Sequence, residues 1–208
     1  MKYFNEWVHA LETVINSMEA GNGSGCEINA DIAFEKLFGK ALKARQKKAV
    51  IFLIGNGASA SMASHAAADL GKNGNLRTMV LNDPSLLTAV GNDIDFSEVF
   101  AEPLRRFGSK QDLLVAISSS GRSPNILNAI KTARAIGMGV VTFSAMDANN
   151  PLRRLGDLNF YVPARDYGHA ESAHAALLHY WIDMHVAQYK EMALNQTPVI
   201  RIKPDVVS

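Results

Sequence analysis

Two short turns rich in glycine, serine and asparagine have the composition of an anion-binding site. Turn 55–59 reads Gly-Asn-Gly-Ala-Ser and follows the apolar run 49–54, and turn 118–123 reads Ser-Ser-Ser-Gly-Arg-Ser and follows the apolar run 112–117. Each turn leads into a segment with helical composition. Glycines let a backbone approach a ligand closely, and the free N–H groups at a helix start attract anions. We therefore predict that the two turns bind a phosphate group, although an ordinary strand-to-helix turn or a serine cap uses the same residue types.

Neither turn matches a nucleotide-binding motif. Turn 118–123 lacks the Gly-Lys-Ser/Thr ending of a P-loop, and turn 55–59 lacks the third glycine of a dinucleotide fingerprint. Hydroxyls and N–H groups at the start of the helix near Ser123 and Pro124 instead suit a phosphate monoester.

A second group of residues has imidazole and carboxylate side chains on two predicted helices. His65 and Asp69 are four positions apart and share one helix face. In the last long helix, Glu171 and His179 lie roughly 80 degrees apart around the axis, whereas His174 lies roughly 140 degrees from His179. If the two helices approach each other, His65, Asp69, Glu171 and His179 form either an acid/base pair or a metal site. Surface histidines and solvated acids with no shared role are the alternative.

Apolar runs and helical segments alternate along the chain and predict the elements that position these residues. Such alternation indicates βαβ units and a mainly parallel sheet, which binds ligands beyond the carboxyl ends of its strands. Two amphipathic helices, 3–19 and 27–46, precede this core, and we expect a flexible linker at 21–25 between them. We expect one α/β domain over 1–208 with a helical extension 1–47. The five predicted strands are 49–54, 76–81, 112–117, 139–143 and 158–162.

Composition restricts the partners and the compartment. The chain has 208 residues, a net charge of +1 and 20% charged residues, which does not favour nucleic acid or a membrane surface as the partner. The only cysteine, Cys26, excludes an intrachain disulfide and suits a cytoplasmic protein. No apolar run is long enough to span a bilayer, and the first residues lack the apolar core of a signal peptide.

Several of these motifs together resemble the sugar isomerase (SIS) domain family. The resemblance rests on turns 55–59 and 118–123, on His65 and on the segment 90–93, Val-Gly-Asn-Asp. It spans most of the chain. Within the family, the chain looks like the phosphoheptose isomerase branch. It implies a three-layer, flavodoxin-like sandwich with a five-stranded parallel sheet, and a homotetramer with sites at subunit interfaces. It also implies zinc in those members that carry the metal.

The resemblance assigns roles to individual residues. It implies that Asp69 acts as base and His179 as acid in an isomerisation that passes through an enediol(ate). The residues that it implies for zinc are His65, Asp69, Glu171 and His179. Those that it implies for the sugar phosphate are Asn56, Gly57, Ser59, Asn92, Asp93, Ser118, Ser119, Ser120 and Ser123.

Two positions depart from the family pattern. Asp69 stands where the family has a glutamate, and a base displaced by about 1 Å can lose of order a hundredfold in rate. Glu171 stands where the family has a glutamine, and the added charge strengthens a divalent cation site or raises the pKa of a neighbouring carboxyl group when no cation is present.

Two functions are therefore expected from the sequence. The first is a ketose–aldose isomerase of sedoheptulose 7-phosphate that supplies activated heptose for lipopolysaccharide and other surface polysaccharide. The second is a non-catalytic SIS binding module, which senses a phosphosugar as a regulator or associates with the replication initiator protein. Retention of His65, of an acid at Asp69 and of His179 favours the enzyme, because a binding module has no need of these three. Isomerisation of a different phosphosugar is a further alternative.

Overall fold

The computed structural model describes residues 3–196, which form a seven-stranded sheet with helices on both faces. The strands are β1 (Glu19–Asn22), β2 (Glu27–Ile28), β3 (Ile51–Ile54), β4 (Thr78–Val80), β5 (Leu113–Ser118), β6 (Gly139–Ala145) and β7 (Leu158–Val162). The α-helices are α1 (Phe4–Asn16), α2 (Ala30–Gln46), α3 (Ala58–Lys72), α4 (Pro84–Asp93), α5 (Ala101–Phe107), α6 (Pro124–Ile136) and α7 (Tyr167–Gln196). Short 3-10 turns cover Phe96–Glu98 and Pro151–Arg154. The α/β class expected from the sequence is confirmed.

The order of the strands places the two glycine- and serine-rich turns side by side. The sheet runs β2-β1-β7-β6-β5-β3-β4, and strands β3 to β7 are mutually parallel. The chain moves outward from β3 to β4 and then returns to β5 on the other side of β3, so the direction of winding reverses between β3 and β5. In an open α/β sheet, a crevice forms at this reversal beyond the carboxyl ends of the strands. The predicted phosphate turns follow these two strands directly.

Two separate hydrophobic cores flank the sheet and give three layers. One core packs the sheet against α2, α3 and α7, and the other packs it against α4, α5 and α6. Alternate side chains of β5 point into opposite cores, because Leu113, Val115 and Ile117 belong to the first, and Leu114 and Ala116 to the second. All six residues of β5 are buried, so the strand that carries the serine turn has a fixed place.

The five expected parallel strands are present as β3 to β7, but the sheet has two further strands, and the linker expected at 21–25 is corrected by the structure. Residues 19–28 form a hairpin, β1–β2, whose first strand pairs antiparallel with β7 and extends the sheet to seven strands. The Gly- and Ser-rich segment is the tip of this hairpin, and the Asn22 Oδ1 atom accepts hydrogen bonds from the backbone N–H groups of Ser24 and Cys26. Gly25 adopts a φ of 79°, a conformation that suits glycine.

Other boundaries also differ from the expected ones. Asn92 and Asp93, expected in a loop, are the last residues of α4. The helix expected near 97–107 is divided into a 3-10 turn and α5, and the long helix expected over 169–192 extends over Tyr167–Gln196. The tail 197–208, expected as an edge strand or an arm, lies outside the described residues.

Helix α1 packs against the outer side of α7 and has no buried residue. Its Trp7 ring stacks on the ring of His169, with centroids 4.8 Å apart. The His169 Nδ1 atom lies 2.7 Å from Asp166 Oδ2, and its Nε2 atom lies 3.2 Å from the Trp7 carbonyl oxygen. Part of the apolar face of α1 is left open to solvent, since Phe4 is 76% exposed and Val8 42% exposed.

Within residues 3–196, we find no helix with both the length and the apolar character that crossing a membrane requires.

Candidate active site

A polar cavity of about 140 Å³ lies at the reversal of the sheet, between the turns that follow β3 and β5. Both predicted phosphate turns contribute to its wall, and the start of α7 closes the third side. The lining residues are Asn56, Ser59, Ile117, Ser118, Ser119, Ser120, Ser123, Tyr167 and Glu171. The structure therefore brings together the serines of turn 118–123 with Asn56 and Ser59, as the sequence predicted from motifs alone.

The helices that start at this cavity differ from others in the chain in their N-caps. Elsewhere, the Asn29 side chain caps α2 and the Asp83 side chain caps α4, in each case through two backbone N–H groups. Gly57 and Ser123, the N-caps of α3 and α6, make no such side-chain hydrogen bond.

In the first turns, the Ser59 and Ala60 N–H groups donate to the Asn56 carbonyl oxygen, and the Ile126 N–H group donates to Asn125 Oδ1. What α3 and α6 direct at an anion is therefore mainly the positive end of the helix dipole.

Two glycines are required for the backbone path around the cavity. Gly121 has a φ of 62°, and a Cβ atom there would lie 2.0 Å from the Asn150 Oδ1 atom. A Cβ atom at Gly55 would lie 2.5 Å from the carbonyl carbon of Ser59. Asn150 is itself fixed, because its Nδ2 group donates to the carbonyl oxygens of Ala145 and Asp147.

The serine hydroxyls have few partners within the chain. The Ser118 and Ser123 Oγ atoms lie 3.4 Å apart, and Ser120 Oγ accepts a bond of 3.3 Å from the Arg122 N–H group. The Ser119 Oγ atom is buried and has no hydrogen-bond partner among the described residues. Buried polar atoms are nearly always paired, so an unpaired hydroxyl in the wall of a cavity is available to a bound group or to water.

Arg122 does not face the cavity, although it belongs to the serine turn. Its guanidinium binds the Asp147 carboxylate in the loop after β6 at 2.5 Å. The backbone N–H of Asn149 and then the Arg122 guanidinium lower the pKa of Asp147. Among the residues that line the cavity there is no Lys or Arg, so hydroxyls and helix dipoles, rather than a cationic side chain, would bind an anion there.

Three of the predicted imidazole and carboxylate residues, from α3 and α7, lie close together. His65 Nε2 lies 3.3 Å from Asp69 Oδ2, and the rings of His65 and His179 have centroids 5.3 Å apart. The ligand atoms of His65, Asp69 and His179 all lie within 4.8 Å of one another, and both histidines are exposed. Two imidazoles and a carboxylate are a donor set that a divalent metal such as zinc accepts, with further positions open.

Glu171 is not part of this group and lies in the lining of the serine cavity instead. It precedes His179 by eight positions, which is about 12 Å along the helix axis. The argument from the sequence compared only the angles of the two side chains around the axis of α7. It did not take their separation along the axis into account. The group of four predicted from the sequence is thus a group of three in the described part of the chain, with Glu171 at the neighbouring cavity.

Asn92 and Asp93 line neither the serine cavity nor the imidazole–carboxylate group. Both are exposed, and the Asn92 Nδ2 group donates to the Asp93 Oδ1 atom at 2.8 Å. The remaining predicted site residue, Gly57, is the exposed N-cap of α3 beside the cavity.

Sequence reasoning missed two residues of the cavity region. Tyr167, at the start of α7, lines the cavity, and no motif marks it. Asn125 is 2% exposed and exchanges two hydrogen bonds with Asn56. Its position immediately after Ser123 and Pro124 was the available signal, since it lies in the first turn of α6.

His174 lies apart from the site, as its angle to His179 indicated. The side chain is fully buried, and the Nε2 atom lies 3.1 Å from the Ser144 carbonyl oxygen. Burial disfavours the imidazolium and lowers the pKa of His174 to about 4. The neutral ring donates through Nε2 to the Ser144 carbonyl oxygen, so His174 has a structural role in the core.

The serine cavity and the imidazole–carboxylate group are separated along α3. Ser59 in the first turn of α3 lines the cavity, and His65 follows six positions later. Six residues of α-helix rise by about 9 Å.

Comparison with known proteins fits this arrangement. The family model described as "SIS domain" matches residues 27–145, which is more than half of the chain and includes both phosphate turns and His65. The chain belongs to the SIS domain family. Within this SIS domain chain, the matched region covers α2 to β6 and so contains the reversal of the sheet.

The chain is similar to several phosphoheptose isomerases. The chain is 35% identical to the phosphoheptose isomerase of Helicobacter pylori (strain P12) over 139 residues, which are 64% of this chain and 72% of that protein. It is 36% identical to the phosphoheptose isomerase of Aliarcobacter butzleri (strain RM4018) over 137 residues, 62% of this chain and 71% of that protein. Among solved structures, phosphoheptose isomerase GmhA from Neisseria gonorrhoeae aligns with a TM-score of 0.74 and 29% identity, covering 88% of this chain and 94% of that one.

Proposed function

We propose that the chain is a phosphosugar isomerase that interconverts sedoheptulose 7-phosphate and the corresponding aldose phosphate. The observation that carries the proposal is one cavity at which the starts of α3 and α6 and the unpaired Ser119 hydroxyl converge. Such a cavity suits a phosphate monoester. A carboxylate and two imidazoles lie farther along α3 and α7, which suits acid/base chemistry on the carbon end of the molecule.

The relatives supply the substrate class of the proposal. Those named above are phosphoheptose isomerases at 35–36% identity, and the chain covers more than two thirds of each. Their shared name favours a seven-carbon ketose phosphate over other sugar phosphates. The non-catalytic binding module is not favoured, because the chain retains His65, Asp69 and His179 within reach of one another.

The proposed reaction moves one hydrogen between neighbouring carbons with no net change in composition. The serine turn and the start of α3 hold the phosphate. Asp69 removes the proton next to the carbonyl, and His179 protonates the carbonyl oxygen, which gives an enediol(ate). Return of a proton to the former carbonyl carbon, with loss of one from the neighbouring hydroxyl, completes the ketose–aldose exchange.

His65, Asp69 and His179 would hold a zinc ion if the enzyme carries one. Their spacing and chemistry fit three ligands of such a site, and a fourth position would be open to water or substrate. A bound zinc ion would polarise the carbonyl oxygen of the substrate.

Asp69 is expected to make this a slow enzyme. A carboxylate one methylene shorter than glutamate stands farther from the carbon that it must deprotonate, at a cost of up to about a hundredfold in rate. The Asp69→Glu variant is therefore expected to turn over faster than the unaltered chain.

The oligomeric state, the cellular compartment and the use of the product belong to the same proposal. The exposed apolar side chains of α1 and the open imidazole–carboxylate group support a homotetramer with its sites at subunit interfaces. The chain has a single cysteine, which suits the reducing cytoplasm. The product would supply heptose for lipopolysaccharide.

The test is incubation with sedoheptulose 7-phosphate, with and without zinc, while NMR follows the aldose product. Asp69→Asn and His179→Ala are expected to bind the sugar phosphate and to abolish turnover, and Ser120→Ala is expected to weaken binding. Asp31→Asn, an exposed change in the first turn of α2, is the matched control and should keep full activity. Binding without turnover by the unaltered chain, whichever divalent metal is added, would contradict the enzyme and favour the binding module.

A further inference from the structure

Asn125 and Asn56 join the two phosphate turns through a pair of amide side chains. The Asn56 Nδ2 group donates to Asn125 Oδ1 at 3.0 Å, and the Asn125 Nδ2 group donates to Asn56 Oδ1 at 2.8 Å. Asn56 belongs to the turn after β3, whereas Asn125 lies in the first turn of α6 after β5. Asn56 lines the cavity, and Asn125 is buried behind it and does not.

The orientation of the Asn125 amide is fixed by the backbone. Its Oδ1 atom also accepts a hydrogen bond of 3.0 Å from the Ile126 N–H group, which can only donate. The Asn125 oxygen must therefore be the atom beside Ile126, where it also accepts from Asn56 Nδ2. The Asn125 NH₂ group is then the one that donates to Asn56 Oδ1.

This fixed amide in turn selects one orientation for Asn56. If the Asn56 amide turned over, two NH₂ groups would face each other and two carbonyl oxygens would do the same, so both hydrogen bonds would be lost. Two neutral hydrogen bonds within this partly buried pair are sufficient to hold one amide orientation. The Asn56 Nδ2 and Oδ1 atoms thus present their remaining hydrogen and lone pair in a defined arrangement beside Ser59 and the serine turn.

We propose that Asn125 is a positioning residue that fixes the Asn56 amide, and with it the spacing of the two turns, for binding of the sugar phosphate. This inference rests on the proposed function. Asn125 itself touches no substrate, and its effect on binding passes through Asn56. Removing Asn125 should therefore weaken ligand binding only through Asn56, and by no more than the removal of Asn56 itself.

The decisive measurement is the dissociation constant of sedoheptulose 7-phosphate by calorimetry for Asn56→Ala, Asn125→Ala and the double variant. Each single variant is expected to bind about tenfold more weakly than the unaltered chain. The double variant is expected to bind no more weakly than the weaker single variant, because both changes remove one shared element.

Two further variants separate positioning from folding. Asn128→Ala lies one turn later in α6 and removes an asparagine that bonds Ser97 and Glu98 away from the cavity, so its affinity should stay unchanged. Asn125→Asp keeps the size and still accepts from Ile126, but it cannot donate to Asn56 Oδ1, so it should bind weakly while remaining folded.

The outcomes distinguish this inference from the function on which it rests. Equal affinity in the unaltered chain and Asn125→Ala, or additive losses in the double variant, would overturn the positioning role alone. Absence of sugar phosphate binding by the unaltered chain would overturn the proposed function, and the inference with it.

Discussion

The buried Ser119 hydroxyl lies in the cavity wall without a hydrogen-bond partner among residues 3–196. Its effect on the stability of the fold and its effect on ligand binding can therefore be measured separately. A hydroxyl that makes no hydrogen bond in the folded chain loses its contacts with water and gains nothing in exchange. A ligand oxygen that reaches it would recover that loss. The same atom can therefore be neutral for stability and important for affinity.

We predict that Ser119→Ala keeps or slightly raises the free energy of unfolding and weakens sugar phosphate binding about tenfold or more, since hydrogen bonds to charged groups are the stronger kind. Urea denaturation and calorimetry measure the two effects. Ser144→Ala is the matched control, because the Ser144 hydroxyl is also buried and unpaired but lies outside the cavity lining. A loss of stability without a loss of affinity in Ser119→Ala would contradict the assignment.

Individual site residues were predictable where the signal was local. The serines of turn 118–123 follow a strand and precede a helix in the sequence itself, and the spacing of His65 and Asp69 gives one helix face. The pairing of Asn125 with Asn56 was not predictable, because the two residues are 69 positions apart. Glu171 was assigned to the wrong neighbours because a helical angle carries no information about distance along the axis.

Helix α7 combines a buried face that holds the sheet with an exposed face that carries His179. On the buried face, His174 and His185 are enclosed, and burial lowers the pKa of both side chains. The Phe143 ring packs edge-on against the His174 ring. The Phe38 ring and the Arg45 guanidinium lie near His185. Their neutral rings are part of the packing that fixes α7.

We predict that the chain loses stability as the pH falls, because the unfolded state takes up a proton first. The pKa of His174 is about 4 when folded and about 6.5 when unfolded. Its contribution to the free energy of unfolding is therefore complete above pH 6.5 and decreases toward pH 4, by about 2 kcal/mol at pH 5.

Urea denaturation at pH 8 and pH 5 measures this effect. His174→Gln should show a smaller difference between the two pH values than the unaltered chain, whereas His9→Gln, an exposed change in α1, should show the same difference. Identical pH dependence in His174→Gln and the unaltered chain would exclude His174 as the group responsible.

The elements of the parallel sheet followed from the sequence, but the β1–β2 hairpin did not. The parallel strands are mainly apolar runs between turn residues, which is a strong local pattern. The hairpin strands are short and contain glycine, asparagine and glutamate, and β1 is held by antiparallel pairing with β7 far along the chain. Its Gly- and Ser-rich tip has the same composition as a linker, so only the tertiary pairing distinguishes the two.

The exposed apolar residues of α1 concern the assembly of several chains. Tyr3, Phe4 and Val8 are 63%, 76% and 42% exposed, although the helix has a clear apolar face. Burial of such a face against another chain gains about 25 cal/mol for each Å² of apolar surface removed from water. Subunit contact through α1 is therefore the arrangement that we propose for the tetramer.

We predict that Phe4→Asp combined with Val8→Asp yields a smaller assembly in sedimentation equilibrium, because a charge cannot be buried in an apolar contact without a large cost. Phe107→Asp is the matched control. Phe107 is 57% exposed at the end of α5, and its replacement should leave the molar mass unchanged. A tetramer that persists in the double variant would exclude α1 from the contact.

The offset of about 9 Å along α3 between Ser59 and His65 sets a minimum reach for any compound that is to be converted. In the proposed function, Asp69 lies four positions beyond His65, so a three-carbon sugar phosphate bound at the serine turn would end well short of the proposed base. A longer, open-chain sugar phosphate extends farther along α3 than a short or cyclic one. The proposed site therefore favours sugar phosphates with more carbons, in their open-chain form.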